Sequence, residues 1–258
     1  MTETEFRIPP RPWVGVLVFV AYCALVMGAW LLFEIDYKTV ALEANIPKGI
    51  ILPLSLGALA MASYAHYAGW WRAAFYEVSR LPYLGVLCLL LLPVAGVIVS
   101  SMAATQWAAL SVRHVALMAL AMLLVGFCEE MLTRGILVVA LRGRFRRELW
   151  VWLGSSVLFG LMHATNAFFG IGAIALAQVL LAFCVGSGFY LLRRLSGSLL
   201  LPMLVHAAWD FSVFAYEAAP AHAAPERVLF IVACYVMSLL LVGWVFRREE
   251  RLGHRGVA

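Results

Sequence analysis

Charged residues are scarce in this chain. Asp, Glu, Lys and Arg make up 13% of its 258 residues, whereas hydrophobic residues make up 64%. Soluble globular domains carry about 25% charged residues and about 45–50% apolar residues. The shortage of charge therefore excludes an ordinary soluble domain and leaves little sequence for any domain outside a membrane.

Paired cysteines and sequence repeats are also missing. The five cysteines show no spacing typical of a disulfide framework or of zinc ligands, so we expect buried thiols without a chemical role. We find no internal repeat, no low-complexity tract and no half-to-half symmetry of the kind seen in many transporters. No signal peptide with a small-residue cleavage site is recognisable, so we expect the first apolar stretch to be kept as an anchor.

Long apolar runs are what the chain has instead. About 20 apolar residues are enough to cross the hydrocarbon core of a bilayer. The sequence offers eight such stretches, near residues 13–33, 49–71, 82–101, 109–141, 149–168, 171–192, 198–217 and 227–246. We predict an all-α fold, a polytopic transmembrane bundle of about eight spans in which residues 1–258 form a single integral membrane domain.

The basic residues are concentrated on one side of these spans. With eight spans both termini share a side, and only Lys38, Lys48, Arg113 and Arg227 fall on the other. The terminal side holds Arg7, Arg11, Arg72, Arg80, Arg142, Arg144, Arg146, Arg147, Arg193, Arg194, Arg247, Arg248, Arg251 and Arg255. Because Lys- and Arg-rich loops face the cytoplasm, we predict cytoplasmic termini. The net charge of +5 then reports membrane topology, and we expect no nucleic-acid partner.

Six ionisable residues interrupt the later apolar stretches, namely Glu129, Glu130, Arg134, His163, His206 and Asp210. A charge at the centre of a membrane helix costs about 2.5–3.5 kcal/mol or more, so such groups normally face a protein interior and pair. At a rise of about 1.5 Å per residue, Glu129, His163 and Asp210 all lie about 20 Å from the Arg-rich side. We therefore expect the three stretches to bring their polar residues together near the middle of the membrane.

The spacing of these residues indicates which can pair. Glu130 and Arg134 are four residues apart and share a helix face, as do His206 and Asp210. Glu129 is turned by about 100° from Glu130. We expect one of the two carboxylates to face the site and the other to hold Arg134, and the spacing leaves open which is which.

These residue types suit the hydrolysis of a peptide bond. A carboxylate in a low-dielectric site can act as a general base on water, and a histidine can share that water. A second histidine with a polar neighbour can donate to the developing oxyanion. Alternatively, a Zn²⁺ ion could be held by Glu129, His163, His206 and Asp210. Both mechanisms use the same residue types, so no metal ligand is assigned and zinc is only one possibility.

Three motifs in this region resemble those of a known family. Glu-Glu-x-x-x-Arg at 129–134, Phe-x-x-x-His at 159–163 and His-x-x-x-Asp at 206–210 are similar to the motifs of the CPBP intramembrane proteases. That group includes the CAAX prenyl endopeptidases and bacterial proteins linked to bacteriocin processing and immunity. The resemblance covers about residues 115–217, which we expect to be the catalytic core. The last motif often ends in Asn, whereas this chain has Asp210.

The resemblance implies an intramembrane endopeptidase that cleaves a membrane-anchored protein or peptide. It assigns Glu129 and His163 to water activation, and His206 and Asp210 to oxyanion stabilisation or to orienting the site. Glu130 and Arg134 become supporting residues. An ionised Asp210 cannot donate to an oxyanion, so Asp210 must be protonated, orient His206 or bind a metal. The charge bias and short loops fit the inner membrane of a bacterium.

Two other functions suit a polar cluster in the membrane. One is a proton- or ion-coupled transporter, because translocation sites also carry such clusters. The other is a non-catalytic bacteriocin-immunity or scaffold protein. Outside the motifs, we expect Asn166 to cap the end of its helix, and we assign no role to His66, His114, His222 and His254.

Overall fold

The computed structural model describes residues 6–253, and this part of the chain is helical except for turns and two isolated β-bridges. The prediction of an all-α bundle is confirmed. His254 and Arg255 lie outside the described residues. The helices are α1 (Pro12–Leu32), α2 (Leu52–Ala68), α3 (Trp71–Phe75), α4 (Leu84–Ala103), α5 (Val112–Glu130), α6 (Leu137–Arg142), α7 (Glu148–Met162), α8 (Ile174–Ser196), α9 (Leu200–Ala218) and α10 (Pro225–Arg251).

Six helical stretches within residues 6–253 are long and apolar enough to cross a membrane. They are Pro12–Leu32, Pro47–Ala68, Leu84–Ala103, Val112–Arg142, Ile174–Ser196 and Pro225–Arg251. The helices outside this set include α7, which has 15 residues, and α9, which carries His206 and Asp210. The total of eight spans therefore stays a prediction.

The stretch predicted at 109–141 forms continuous helix, but its hydrogen bonding changes directly after the two glutamates. Residues Met131–Ile136 form a π-helical segment between α5 and α6, and every one of them is buried. Such segments are rare and often occur at functional sites. Here the segment carries Arg134, so the change of register lies beside the first motif.

Close packing of α5 against α9 depends on Gly126. A Cβ at this position would lie 2.4 Å from the carbonyl oxygen of Met203 and 3.0 Å from the backbone nitrogen of Ala207. A residue with a side chain could not be accommodated without moving one helix. The approach that glycine allows places the end of α5, with its two glutamates, beside His206 on α9.

A buried charge cluster lies at the Arg-rich end of the bundle. Glu77, between α3 and α4, lies 3.0 Å from Arg142 Nη2 and 2.8 Å from Arg193 Nε. Glu148, at the start of α7, contacts Arg142 and lies 2.9 Å from Arg194 Nη1. The arginines at the ends of α6 and α8 thus lie at the same end of the bundle. The sequence predicted this, because it placed them on the same side of the membrane spans. That this end faces the cytoplasm stays a prediction.

The segment between α1 and α2 folds back onto the bundle. The backbone N–H of Tyr37 donates to the carbonyl oxygen of Phe169 at 2.8 Å. The Trp30 ring meets the Phe169 ring edge-on at 5.2 Å, and its indole N–H donates to the Gly49 carbonyl at 2.6 Å. These contacts make Tyr37 part of the wall of an interior cavity.

Candidate active site

The ionisable residues of three helices border one cavity of about 540 Å³. Glu129 at the end of α5, His163 after α7, and His206 and Asp210 on α9 all line it. Much of the remaining wall is apolar or aromatic and includes Met122, Phe159, Met162, Phe189 and Trp209. The structure therefore brings the four candidate catalytic residues to one largely apolar space, which is the usual character of a ligand site.

The His206 ring lies among three carboxylates. Its Nδ1 is 2.9 Å from Glu130 Oε1, while its Nε2 is 3.5 Å from Asp210 Oδ2 and 3.8 Å from Glu129 Oε2. The ring also stacks on Phe189, with centroids 4.7 Å apart and planes 19° apart. Because the Nε2 contacts are longer than a good hydrogen bond, this nitrogen remains available to a substrate oxygen.

The two adjacent glutamates have different positions. Glu130 is fully buried, forms an ion pair with Arg134 at 3.0 Å, and is not among the residues of the cavity wall. The Arg134 guanidinium lies 4.0 Å over the Phe159 ring. A Cβ on Gly186 would lie 2.5 Å from Arg134 Nη2, so a glycine in α8 makes the room that this guanidinium occupies. Glu129 is the carboxylate of the pair that faces the cavity.

His163 is held by the phenylalanine of its own motif. Helix α7 ends at Met162, and His163 begins a 3₁₀ turn that runs to Phe168. The His163 Nδ1–H donates to the Phe159 carbonyl at 2.9 Å. The Nε2 atom takes no part in this hydrogen bond. The Phe159 ring is edge-on to both imidazoles, with centroids 5.2 Å from His163 and 6.0 Å from His206. One aromatic ring therefore separates and orients the two histidines.

Two polar residues of the cavity wall were missed by the sequence interpretation. Gln178 accepts a hydrogen bond from Asn166 at 2.9 Å and donates one to the Tyr37 hydroxyl at 2.6 Å. The expectation that Asn166 caps its helix is wrong, because its amide reaches across to α8 instead. An amide inside a predicted span is a signal that could have revealed Gln178, whereas nothing in the sequence around Tyr37 marks it.

The placed side chains do not form a ready metal site. Among residues 6–253, no three His, Cys, Asp or Glu side chains are grouped as ligands of one ion. The Nδ1 atoms of His163 and His206 are already engaged by the Phe159 carbonyl and by Glu130. These contacts leave the Nε2 atom of each ring for water, a substrate or an ion, so zinc stays a prediction.

Comparison with known families agrees with the motifs. Residues 111–212 match the family model described as Type II CAAX prenyl endopeptidase Rce1-like. Over this segment the chain is similar to the Rce1-like CAAX proteases. The match covers less than half of the chain, yet it contains all seven residues that the three motifs specify, from Glu129 to Asp210. No curated protein and no solved structure matches the chain.

The family match confirms the resemblance read from the three motifs. Rce1-like proteins are proteases by their description, and the apolar helices of this chain are those of a multi-pass integral membrane protein. The match gives no role to any single residue. The geometry of the cavity is what suggests the roles.

Proposed function

We propose that this Rce1-like chain is an intramembrane endopeptidase that hydrolyses a peptide bond of a membrane-anchored protein or peptide. The observation that carries the proposal is the position of Glu129, whose carboxylate lies 3.8 Å from His206 Nε2 on a cavity that His163 also lines. A base, an oxyanion donor and a second imidazole are thus available to one reacting carbonyl.

In the first step, Glu129 acts as the general base. Its carboxylate accepts a proton from a water molecule as the water oxygen bonds to the carbonyl carbon of the substrate. His163 presents Nε2 to the same water, because its Nδ1–H is committed to the Phe159 carbonyl. The electron pair of the carbonyl π bond moves to the oxygen, which becomes the oxyanion.

In the second step, His206 stabilises the oxyanion and the bond to nitrogen breaks. As an imidazolium, His206 donates from Nδ1–H to Glu130, which fixes the ring, and from Nε2–H to the oxyanion. Asp210, 3.5 Å from Nε2, orients the ring. The oxyanion then reforms the carbonyl, the C–N bond breaks, and the leaving amine takes the proton that Glu129 received. The products are a new carboxyl group and a new amine.

The surroundings of the cavity favour a substrate that reaches it from the membrane. The wall is mainly apolar, and the helices that carry it also present large exposed apolar side chains such as Ile174, Leu180 and Leu181 on α8. A membrane-anchored segment fits this setting better than a soluble peptide. We also propose that the Arg-rich end faces the cytoplasm and that the protein lies in the inner membrane of a bacterium.

Cleavage by the purified protein tests the proposal. The probe is a mixture of internally quenched peptides offered in detergent micelles. We expect the wild-type protein to cleave and Glu129→Gln to cleave at least about 100-fold more slowly, because it lacks the base. Glu217→Gln is the matched control, since Glu217 lines the same cavity but its side chain is 58% exposed. Equal rates for wild type and Glu129→Gln would contradict the proposal.

Removal of metal ions tests the choice of mechanism. Because no three His, Cys, Asp or Glu side chains within residues 6–253 are grouped as ligands of one ion, we expect dialysis against a chelator to leave the cleavage rate unchanged. Metal analysis of the active protein should then find less than one zinc ion per chain. Loss of activity on chelation, with recovery when zinc is returned, would instead assign the four cavity residues to a metal.

A further inference from the structure

Three polar side chains outside the motifs form a connected row in the cavity wall. Asn166 donates to Gln178 at 2.9 Å, and Gln178 donates to the Tyr37 hydroxyl at 2.6 Å. We call Asn166, Gln178 and Tyr37 the amide ladder. Among the described residues that line the cavity, only Asn166 and Gln178 carry a side-chain amide. The ladder therefore stands out within a wall that is mainly apolar.

The ladder keeps hydrogen-bonding capacity that its internal bonds do not use. Each amide has a second N–H, the Asn166 oxygen is a free acceptor, and the Tyr37 hydroxyl can still donate. All three residues border the cavity, and the Asn166 side-chain oxygen is not among the buried polar atoms left without a partner. Burial raises the pKa of Tyr37 to about 12, against a smaller lowering by Gln178. The phenol therefore stays protonated at neutral pH.

The ladder borders the same cavity as the reactive groups, and Asn166 is its member nearest to His163 in the chain. Asn166 follows His163 by three residues in the same 3₁₀ turn, which is about 6 Å at a rise of about 2.0 Å per residue. An extended peptide advances about 3.3 Å per residue. A peptide whose scissile bond lies beside His163 would thus have one of its next residues within reach of Asn166, which is hydrogen-bonded to Gln178 and through it to Tyr37.

We propose that the amide ladder binds the main chain of the substrate, in an extended conformation, on one side of the bond that is cleaved. Backbone N–H and C=O groups that enter an apolar cavity need hydrogen-bond partners, and the ladder supplies both donors and acceptors. Amides and a phenol carry no charge and would contact the backbone of the peptide. The subsite therefore accepts many different substrate side chains. The inference rests on the proposed function and adds a subsite for the peptide backbone to it.

Kinetics of two ladder variants test the subsite. Gln178→Leu and Tyr37→Phe remove hydrogen-bonding groups with little change of shape. We expect each to raise the KM for quenched peptides about five- to ten-fold while kcat changes less than about two-fold, because bound substrate and transition state lose the same contact. Tyr216→Phe is the matched control, since Tyr216 is not among the residues of the cavity wall and its hydroxyl donates to the His222 carbonyl at 3.3 Å, and it should leave both constants unchanged.

A purely structural role for the ladder predicts a different result. If the ladder only holds the 3₁₀ turn that carries His163, the same variants should lower kcat and shift the pH–rate profile while KM stays constant. That outcome would overturn the inference.

Binding measured without cleavage separates this inference from the proposed function. The same peptides are bound to Glu129→Gln protein and followed by fluorescence polarisation, with and without Gln178→Leu. We expect about five-fold weaker binding with Gln178→Leu, and equally weakened binding when one backbone N–H of the peptide is replaced by an ester oxygen. In the Gln178→Leu protein, an ester at the peptide position that contacts residue 178 should not weaken binding any further. Equal binding in all cases would overturn the subsite, whatever the cleavage assay shows.

Discussion

Glu129 and Glu130 are neighbours in the chain, but helix geometry turns their side chains about 100° apart and gives them different tasks. Glu129 faces the cavity, whereas Glu130 joins Arg134 and the Nδ1 of His206 in a fully buried contact. One carboxylate can therefore react while the other holds the imidazole in place. Arg134 contributes by pairing with Glu130 and by covering the Phe159 ring.

Loss of the Glu130 charge should damage both stability and activity. Glu130→Gln leaves a fully buried guanidinium without its ion-pair partner, and breaking such a pair costs about 3–5 kcal/mol. We expect a lower unfolding temperature in detergent and slower cleavage, because His206 also loses its support. Glu43→Gln is the control, since Glu43 pairs with Arg113 at 3.6 Å on an exposed surface and should change stability by less than about 1 kcal/mol. Equal stability losses in the two variants would contradict this account.

Two substitutions test whether the residue at position 210 must carry a charge. An asparagine at 210 keeps an oxygen at the position of the Asp210 oxygen that lies 3.5 Å from His206 Nε2, so it can still orient the ring. We therefore expect Asp210→Asn to retain cleavage within about ten-fold of wild type and Asp210→Ala to lose about 100-fold or more. Steady-state cleavage rates decide between them. An Asp210→Asn protein as inactive as Asp210→Ala would show that the carboxylate itself is needed.

Helices α5 and α9 determine the distance between the base and the oxyanion donor. Their contact at Gly126 leaves no room for a side chain, and the buried π-helical segment Met131–Ile136 then sets the direction of Arg134. Small displacements of such elements are costly, because a misplacement of about 1 Å can lower a rate about 100-fold.

A methyl group at Gly126 should separate the two helices and slow cleavage. Its Cβ would lie 2.4 Å from the Met203 carbonyl oxygen, so we expect Gly126→Ala to lower kcat at least about ten-fold. Gly243→Ala is the matched control, because a Cβ at Gly243 on α10 meets nothing within 4 Å. Both variants should reach the membrane in similar amounts. Wild-type turnover by Gly126→Ala would show that the helix contact does not position the site.

The apolar runs were enough to predict most of the long helices, but not their local irregularities. Helices α1, α4, α8 and α10 lie within a few residues of the predicted stretches. The π-helical segment, the end of α7 before His163 and the short helix α3 were not predicted, because hydrogen-bond register depends on packing that hydropathy does not record. The ladder was missed for a similar reason, since Tyr37 and Gln178 are 141 residues apart in the chain.

A buried charge cluster stabilises the Arg-rich end of the bundle. Burial alone raises the pKa of Glu77, but Arg193, Arg142 and Arg194 outweigh that effect, so the pKa lies below its usual value of 4.5. The ionised form is therefore favoured by folding. The resulting stability is fully present above the usual carboxyl pKa and is lost as the pH falls through the lowered pKa of the folded protein.

Acid should therefore weaken the bundle through Glu77. We expect the unfolding temperature of the solubilised protein to fall as the pH drops below about 4.5, and Glu77→Gln to reduce this dependence while lowering stability at pH 7. Glu250→Gln, on the exposed side of α10, is the control and should keep the wild-type profile. A Glu77→Gln protein with unchanged stability at both pH values would contradict the assigned role of the cluster.

The central claim is that a water activated by Glu129 attacks the substrate directly. A single turnover in H₂¹⁸O followed by mass spectrometry of both products tests it. We predict that one ¹⁸O atom enters the new carboxyl terminus of the cleaved peptide and that Glu129 stays unlabelled. Label in the Glu129 side chain, with none in the peptide, would show that the glutamate attacks the carbonyl itself and would contradict the mechanism.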